Sequence, residues 1–565
     1  MSLFRVRVVG LLGLLLVAGC TADRPEPDAP DPTVRTALPD ADTTVVEGTT
    51  AVELAVGTSQ ALYLGSPAVV LVGDGDADAL PRAVEVTVDL GVPLLVTPAA
   101  AEPAPPVAEP AAGPVAGPTA EATPSRTPTG GVLAEIQRLG ARALITVGTT
   151  AAAWAATPTF PPGVTVVGVD DPVPVAVTPP ERLPSLLVLA EGTSVDAAAV
   201  ATARAAGARV LELGTTDPRA TAASVQTIAD AVGESAATPT GAGLEDAGSA
   251  GAASVGPGSV GAASARAGWT GAGWPGAGWP GKLLALGSAF GPADRLRQRV
   301  ATAATGVQLP GGGQLVFPGR RMVALYGHPG DPGLGVLGEQ PVEAAISRAQ
   351  QLAGSYQAYV GEPVVPAFEI IVTVATGRTG SRPHPVEKFR PWVQAAREAG
   401  VYVVLDLQPG DVHFLEQARL YEELLREPHV GLALDPEWRV QPGKAHMVQI
   451  GSVDAAEVNE VGQWLAQLTR EHNLPQKVLM LHQFRLDMIS NRSALVTDYD
   501  ELRVVIHADG FGSPGAKYDT WNTLHIDAPA NVAWGWKNFY DEDKPTFTPE
   551  QTMAVSPEIV FVSYQ

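Results

Sequence analysis

Between Arg320 and Gln565 the chain repeats one unit, a strand-length apolar run that closes on polar or charged residues. The runs begin near Met322, Ile370, Val401, Val430, Met447, Val478, Leu502 and Val532. Helical patterns separate several of them, over Val342–Leu352, Val386–Ala399, Leu415–Arg426 and Ala455–Glu471. Runs without polar alternation suit strands covered on both faces. The segment length matches the roughly 250 residues of a (β/α)8 barrel. The fourth-to-fifth and seventh-to-eighth connections carry no helical pattern, so the barrel is expected to be irregular. A doubly wound open sheet is the rival arrangement.

The endings of the runs favour the barrel. They read Tyr326-Gly-His328, Leu405-Asp406, Leu434-Asp-Pro-Glu-Trp438, Leu481-His-Gln483, Ile506-His-Ala-Asp509 and Trp536-Lys-Asn538. Such groups are out of place in a packed core. They are at home on the C-terminal rim of a barrel, where all strand ends converge. Histidine follows the same division, since all nine histidines lie between His328 and His525. Any chemistry of this chain is expected in this half.

Asp435-Pro436-Glu437 is the sharpest chemical signal. Residues i and i+2 at a strand end point to the same side, so two carboxylates share one site. Glycoside hydrolysis needs such a pair, one to protonate the leaving oxygen and one to stabilise or activate. A D-x-E ending on a fourth strand resembles chitinase-like and muramidase-like barrels, and the resemblance implies Glu437 as general acid beside Asp435. Asp406 is expected to orient Glu437 or a substrate hydroxyl. His328, Trp438, His482, Gln483, His507, Asp509, Trp536 and Lys537 are candidate substrate contacts. Trp534 is another, although core packing explains the tryptophans equally well. Lys537 and Asp541 are a candidate salt bridge. His328, His482, His507 and Asp509 lack the close His-x-His or His-x₃-His spacing of a metal site, so neither metal nor cofactor is expected.

The region 50–310 contains no histidine and alternates apolar runs with helical patterns. Strands are expected at Ala68–Gly73, Pro93–Thr97, Ala143–Val147, Ser185–Ala190 and Arg209–Leu213, with helices over Ala79–Leu90, Val132–Leu139 and Val195–Ala206. This rhythm predicts parallel α/β units. Low-complexity inserts interrupt it at 99–130 and 236–281, the second with Trp269, Trp274 and Trp279 in a Gly/Pro setting. The stretches Val70–Leu80, Gly91–Pro98 and Leu139–Gly148 are similar to the type 2 cell-wall-binding repeat, with a degenerate copy over 185–215. Ala77 stands where that family carries an aromatic and a proline. The resemblance implies attachment to wall polymers, peptidoglycan or an associated polysaccharide.

The first twenty residues divide like an export signal, with Arg5 and Arg7 before the apolar Val8–Val17. Val17-Ala18-Gly19-Cys20 resembles the bacterial lipobox, and Cys20 is the only cysteine. The resemblance implies a lipid anchor on Cys20, a membrane-attached chain on the extracytoplasmic face, and residues 21–49 as a disordered tether. A net charge of −23 would repel nucleic acid and anionic bilayer surfaces. The heavy use of Ala, Gly and Pro resembles high-GC actinobacterial coding. The C-terminal half is similar to an uncharacterised family of actinobacterial lipoproteins. The chain therefore reads as an α/β protein, N-terminal parallel units followed by an irregular barrel. Two functions fit, a wall-associated glycan hydrolase or a non-catalytic carbohydrate-binding surface protein.

Overall fold

The structure is a computed structural model that describes residues 32–98, 128–237, 279–440 and 444–565. The export signal, Cys20, Trp269, Trp274 and most of both low-complexity inserts lie outside the described residues.

The C-terminal region is a closed parallel barrel of eight strands. They are β1 (Arg321–Gly327), β2 (Val364–Thr376), β3 (Tyr402–Leu407), β4 (Val430–Leu434), β5 (Lys477–Gln483), β6 (Leu502–Ala508), β7 (Ala533–Asn538) and β8 (Phe561–Tyr564). Each strand pairs with the next, and β1 closes the ring by pairing with both β2 and β8. Helices α1 (Val342–Tyr356), α2 (Val386–Ala399), α3 (Phe414–Leu420), α4 (Ala455–Glu471), α5 (Pro514–His525) and α6 (Pro549–Met553) lie in the connections. Local chemistry sets their ends. The side chain of Asp454 caps α4 by accepting from the Ala456 amide, Ser513 caps α5, and Gly400 ends α2 at a φ of 69°.

One expected run needs correction, and one strand escaped the sequence. Met447 begins no strand: it lies in the β4–α4 loop, 88 % exposed, at a φ of 61°. The eighth strand is instead the four-residue β8 at the end of the chain. With Met447 removed from the ring, α4 lies in the β4–β5 connection, and α5 fills the β6–β7 connection, where the sequence showed no helical pattern. The barrel is irregular as expected, but at another place: the β5–β6 connection carries 3-10 turns and the two-residue strand Ile489–Ser490 in place of a helix.

Side-chain parity divides the strands cleanly. Met322, Ala324, Val365, Ala367, Tyr402, Val404, Ala433, Val478, Met480, Val505, Ala533 and Phe561 form one buried cluster, floored by Leu309, Val316 and Phe317. Their neighbours in sequence, such as Leu325, Phe368, Leu405, Leu432 and Leu481, pack outward among the helices. Inward and outward positions alternate at the period of two that a strand imposes.

The N-terminal region holds two parallel four-stranded sheets. One runs Leu94–Thr97, Ala68–Gly73, Ala143–Val147, Thr165–Gly168. The other runs Thr43–Val46, Lys282–Leu286, Leu186–Ala190, Arg209–Glu212. Thr43–Val46 occupies in the second sheet the edge that Thr165–Gly168 occupies in the first. The segment expected to be tether up to residue 49 thus enters the fold near Thr33, with Val34 only 2 % exposed. Its valines bury against neighbouring elements, which a chain of Pro, Asp and Thr alone would not do. Trp279 is likewise a core residue, 6 % exposed, its indole N–H donating to the Ser185 and Lys282 carbonyls. The region joins the barrel through ion pairs of Arg219 and Arg299 with Asp500, just before β6.

Candidate functional site

Continuing the inward parity one step above the apolar layers brings a polar residue from every strand into the barrel mouth. They are Tyr326, Glu369, Asp406, Asp435, His482, His507, Lys537 and Ser563. Asp435 sits immediately after β4, and the other seven lie within their strands.

The centre is His482, fully buried. Its Nε2 faces Glu369 Oε1 at 2.7 Å and its Nδ1 faces Asp509 Oδ2 at 3.1 Å. Burial alone would drive the imidazole to its neutral form, but Glu369, Asp509 and Asp406 outweigh it and hold it well above its ordinary value. His482 is therefore a doubly bonded imidazolium. With both nitrogens donating to carboxylates, it has no lone pair for a metal. Among the described residues no group of three or more His, Cys, Asp and Glu side chains is placed to hold a metal ion.

His507 is the register partner of His482 on β6, and the rings stack at 5.0 Å. Burial and the positive charges of His482, Lys537 and Lys517 push His507 well below its ordinary value, so it stays neutral, with Nε2 3.0 Å from Ser563 Oγ. Gly535 makes this stack possible, because a Cβ there would lie 3.0 Å from the His507 ring.

Asp406 Oδ2 accepts from the Tyr326 hydroxyl at 3.0 Å, and the Lys537 ammonium stands 3.5 Å from the centre of the Tyr326 ring. Burial raises the Asp406 carboxyl to about 6, with His482 and Lys537 pulling it down and Glu369 pushing it up. Asp435 is 2 % exposed and held well above the usual carboxylate range by burial and then by the charges of Glu437 and Asp406. Glu437 lies in the short 3-10 turn Pro436–Trp438, half-buried, and burial followed by Asp509 pushes it up to about 7 against Lys537 and His482. The two carboxylates thus feel each other, as their spacing at the strand end implies.

Each of Asp406, Asp435, Asp509 and Glu369 also presents one buried carboxylate oxygen with no partner among the described residues. Four such oxygens in one barrel mouth are acceptors suited to the hydroxyls of a polyol. The mouth can therefore hold a proton on Glu437, keep a cation at His482, and bind hydroxyl groups.

The other expected contacts fall elsewhere. Trp536 points outward, 1 % exposed, packed between Trp521 and Phe547, with its indole N–H donating to Asn538. Parity accounts for this correction: Trp536 is one residue before the inward-facing Lys537. Trp534 shares its outward side and stacks on His525 at 3.6 Å. Gln483, adjacent to His482, is buried and donates to the Arg485 carbonyl. Trp438 is half-buried, with its ring 5.7 Å from His446. His328 turns to the β1–β2 side, where its Nδ1 donates to the Ile371 carbonyl at 2.7 Å and its Nε2 meets Lys388. Lys537 does not pair with Asp541; the ion pair near β7 joins Lys517 to Asp543 at 2.9 Å. Sequence reasoning missed Glu369, Tyr326 and Ser563. The signal for Glu369 was present, as a single acid inside the otherwise apolar run Val364–Thr376.

No protein-family model and no curated protein matches the chain. Among solved structures, a xylanase and alpha-amylase inhibitor protein from Scadoxus multiflorus is 11 % identical at a TM-score of 0.26, covering 43 % of this chain and 92 % of the inhibitor. A chitinase from Chromobacterium violaceum is 14 % identical at 0.21, covering 39 % of this chain and 68 % of the chitinase. Cellobiohydrolase II from Humicola insolens is 12 % identical at 0.19, covering 42 % of this chain and 65 % of that enzyme. Likenesses this distant leave the chemistry to be argued from the residues of the mouth.

Proposed function

We propose that this chain is a lipid-anchored envelope protein whose barrel hydrolyses a glycan by carboxylate acid and base chemistry. The observation that carries the reading is the Asp435–Glu437 pair at the exit of β4, with Asp435 raised by burial and then by the Glu437 charge, and Glu437 brought to about 7. A carboxyl in that range keeps its proton near neutrality and releases it readily, as a general acid must. Glu437 protonates the departing glycosidic oxygen. Losing that proton places a new negative charge beside Asp509 and Asp406, and Lys537 and His482 offset it. Asp406, ionised above about pH 6, stabilises the positive charge developing on the sugar or draws a proton from the attacking water. Asp435 stays buried and protonated, which keeps further negative charge away from Glu437.

The address rests on the N-terminus. A lipobox-like Cys20 and a Pro-rich tether would present the barrel to wall polymers, and the repeat-like N-terminal sheets would hold it on them. The test is turnover. Purified protein incubated with a panel of wall polysaccharides should generate new reducing ends with at least one of them. Binding to a polymer with no new ends from any of them would reduce the barrel to a carbohydrate-binding module.

A further inference from the structure

The strand β2 runs on past the mouth into a hairpin with the antiparallel strand Gly380–Pro383, an arm projecting from the rim. The arm carries Arg378 and Arg382, both exposed, and leads through the half-buried His384 to Lys388 in the first turn of α2. Beneath lies His328, 2 % exposed, with its ring centroid 4.3 Å from that of His384. Because His328 Nδ1 donates to the Ile371 carbonyl, its Nε2 is the acceptor, and Lys388 donates to it. Two N–H donors of the Lys388 ammonium are left over.

Three features suit this cluster to an anion. Among the described residues Arg378, Arg382 and Lys388 form no ion pair. Neither ring nitrogen of His384 is bonded among the described residues. Lys388 also stands at the N-terminal end of a fourteen-residue helix, where the peptide dipoles favour an anion and oppose a cation. The acids at hand are turned to other tasks: Asp331 accepts from the Gly333 amide, and Glu387 points to Arg390. Burial lowers His328, His384 and Lys388 below their ordinary values; the Lys388 charge adds to this at both histidines, and Asp331 partly offsets it at His328 and Lys388.

We propose that Arg382, His384 and Lys388, the last held from beneath by His328 and with Arg378 further along the same arm, form a binding site for an anionic group, phosphate or carboxylate, on the polymer that the barrel cleaves. The proposal rests on the glycan reading above for its polymer, but not for the site itself. The arm is continuous with the mouth. Asp411, in the loop after β3, donates its amide to the Thr379 carbonyl, and His446, next to Trp438, faces the Gly380 carbonyl at 3.0 Å. An overall negative chain holds polyanions away, so productive binding of one needs a local cationic seat beside the acid pair.

The test uses the full-length protein with isotope-labelled histidine, titrated separately with inorganic phosphate and with acetate at constant ionic strength. The ring resonances of His328 and His384 should shift and saturate. The Arg382→Ala/Lys388→Ala double variant should bind at least about tenfold more weakly, the loss of a charge-assisted contact or more. Arg378→Ala, on the exposed arm, gives a milder loss that does not depend on core packing. Saturation with phosphate alone assigns a phosphoryl group, and saturation with acetate as well assigns a carboxylate-tolerant site. No shift with either anion, or an unchanged shift in the double variant, overturns the proposal. Glu437→Gln should bind phosphate like the wild type, so a failure of the hydrolase reading leaves this result standing and separately readable.

Discussion

His482 and Glu369 are 113 residues apart in sequence, and the barrel brings Nε2 of one within 2.7 Å of Oε1 of the other, both completely buried. Asp509 holds the opposite ring nitrogen. Removing one partner of a buried pair leaves charge uncompensated, so Glu369→Gln should destabilise the fold by about 3 kcal/mol. His482 is raised in the fold, so its contribution is complete below pH 6.5 and disappears as pH rises through the raised value. Urea unfolding of both proteins at pH 6 and at alkaline pH checks this, and a constant difference across that range would contradict it.

The alkaline limb of turnover follows from Glu437. Its carboxyl is protonated below about 7, so the rate should fall as pH rises through that value. Lys537 pulls the carboxyl down, so Lys537→Met should move the falling limb to higher pH. A pH–rate profile of the two proteins measures the shift, and a limb that stays in place removes Lys537 from the electrostatics of the site.

The mouth should be a stability burden at neutral pH. Asp435 binds its proton more tightly folded than unfolded, so stability is greatest at low pH and falls as pH climbs above its ordinary value of 3.8. Asp435→Asn removes that burden. The variant should be more stable than wild type by about 1–2 kcal/mol at pH 8, with the advantage gone near pH 3. Thermal melts at the two pH values decide the matter.

Trp536 and Trp438, both candidate contacts in the sequence, should behave in opposite ways. Trp536→Ala deletes a core ring packed on Trp521 and Phe547 and should cost roughly 3–5 kcal/mol. Trp438→Ala should cost far less stability and weaken binding of polysaccharide, as read by a raised KM with the melting temperature nearly unchanged.

The envelope address predicts that Cys20→Ser prevents acylation. The variant should lose incorporation of labelled fatty acid and leave the membrane fraction. Unchanged labelling would exclude Cys20 as the anchor.

Parity explains what the sequence made legible and what it hid. Strand-length apolar runs located seven of the eight barrel strands and several helices to within a few residues, because buried parallel strands leave a strong continuous signal. Met447-Val-Gln-Ile450 imitates such a run while sitting exposed in a loop, and β8 is only four residues long, so apolarity alone promoted one and passed over the other. Asp406, Asp435, Glu437, His482 and Asp509 were visible as polar endings of runs. Glu369 was hidden because the run continues for seven residues beyond it, and only the arm that extends β2 explains why. Trp536 and Lys537 are adjacent, and choosing which faces inward requires the register of the ring rather than composition.

The most direct test of the central claim is release of reducing sugar from purified wall material by wild type and Glu437→Gln, with melting curves confirming that both are folded. Removing a general acid should lower the rate by at least about a hundredfold. A variant that releases sugar at the wild-type rate would contradict the assignment of Glu437 and, with it, the acid and base chemistry proposed for the barrel mouth.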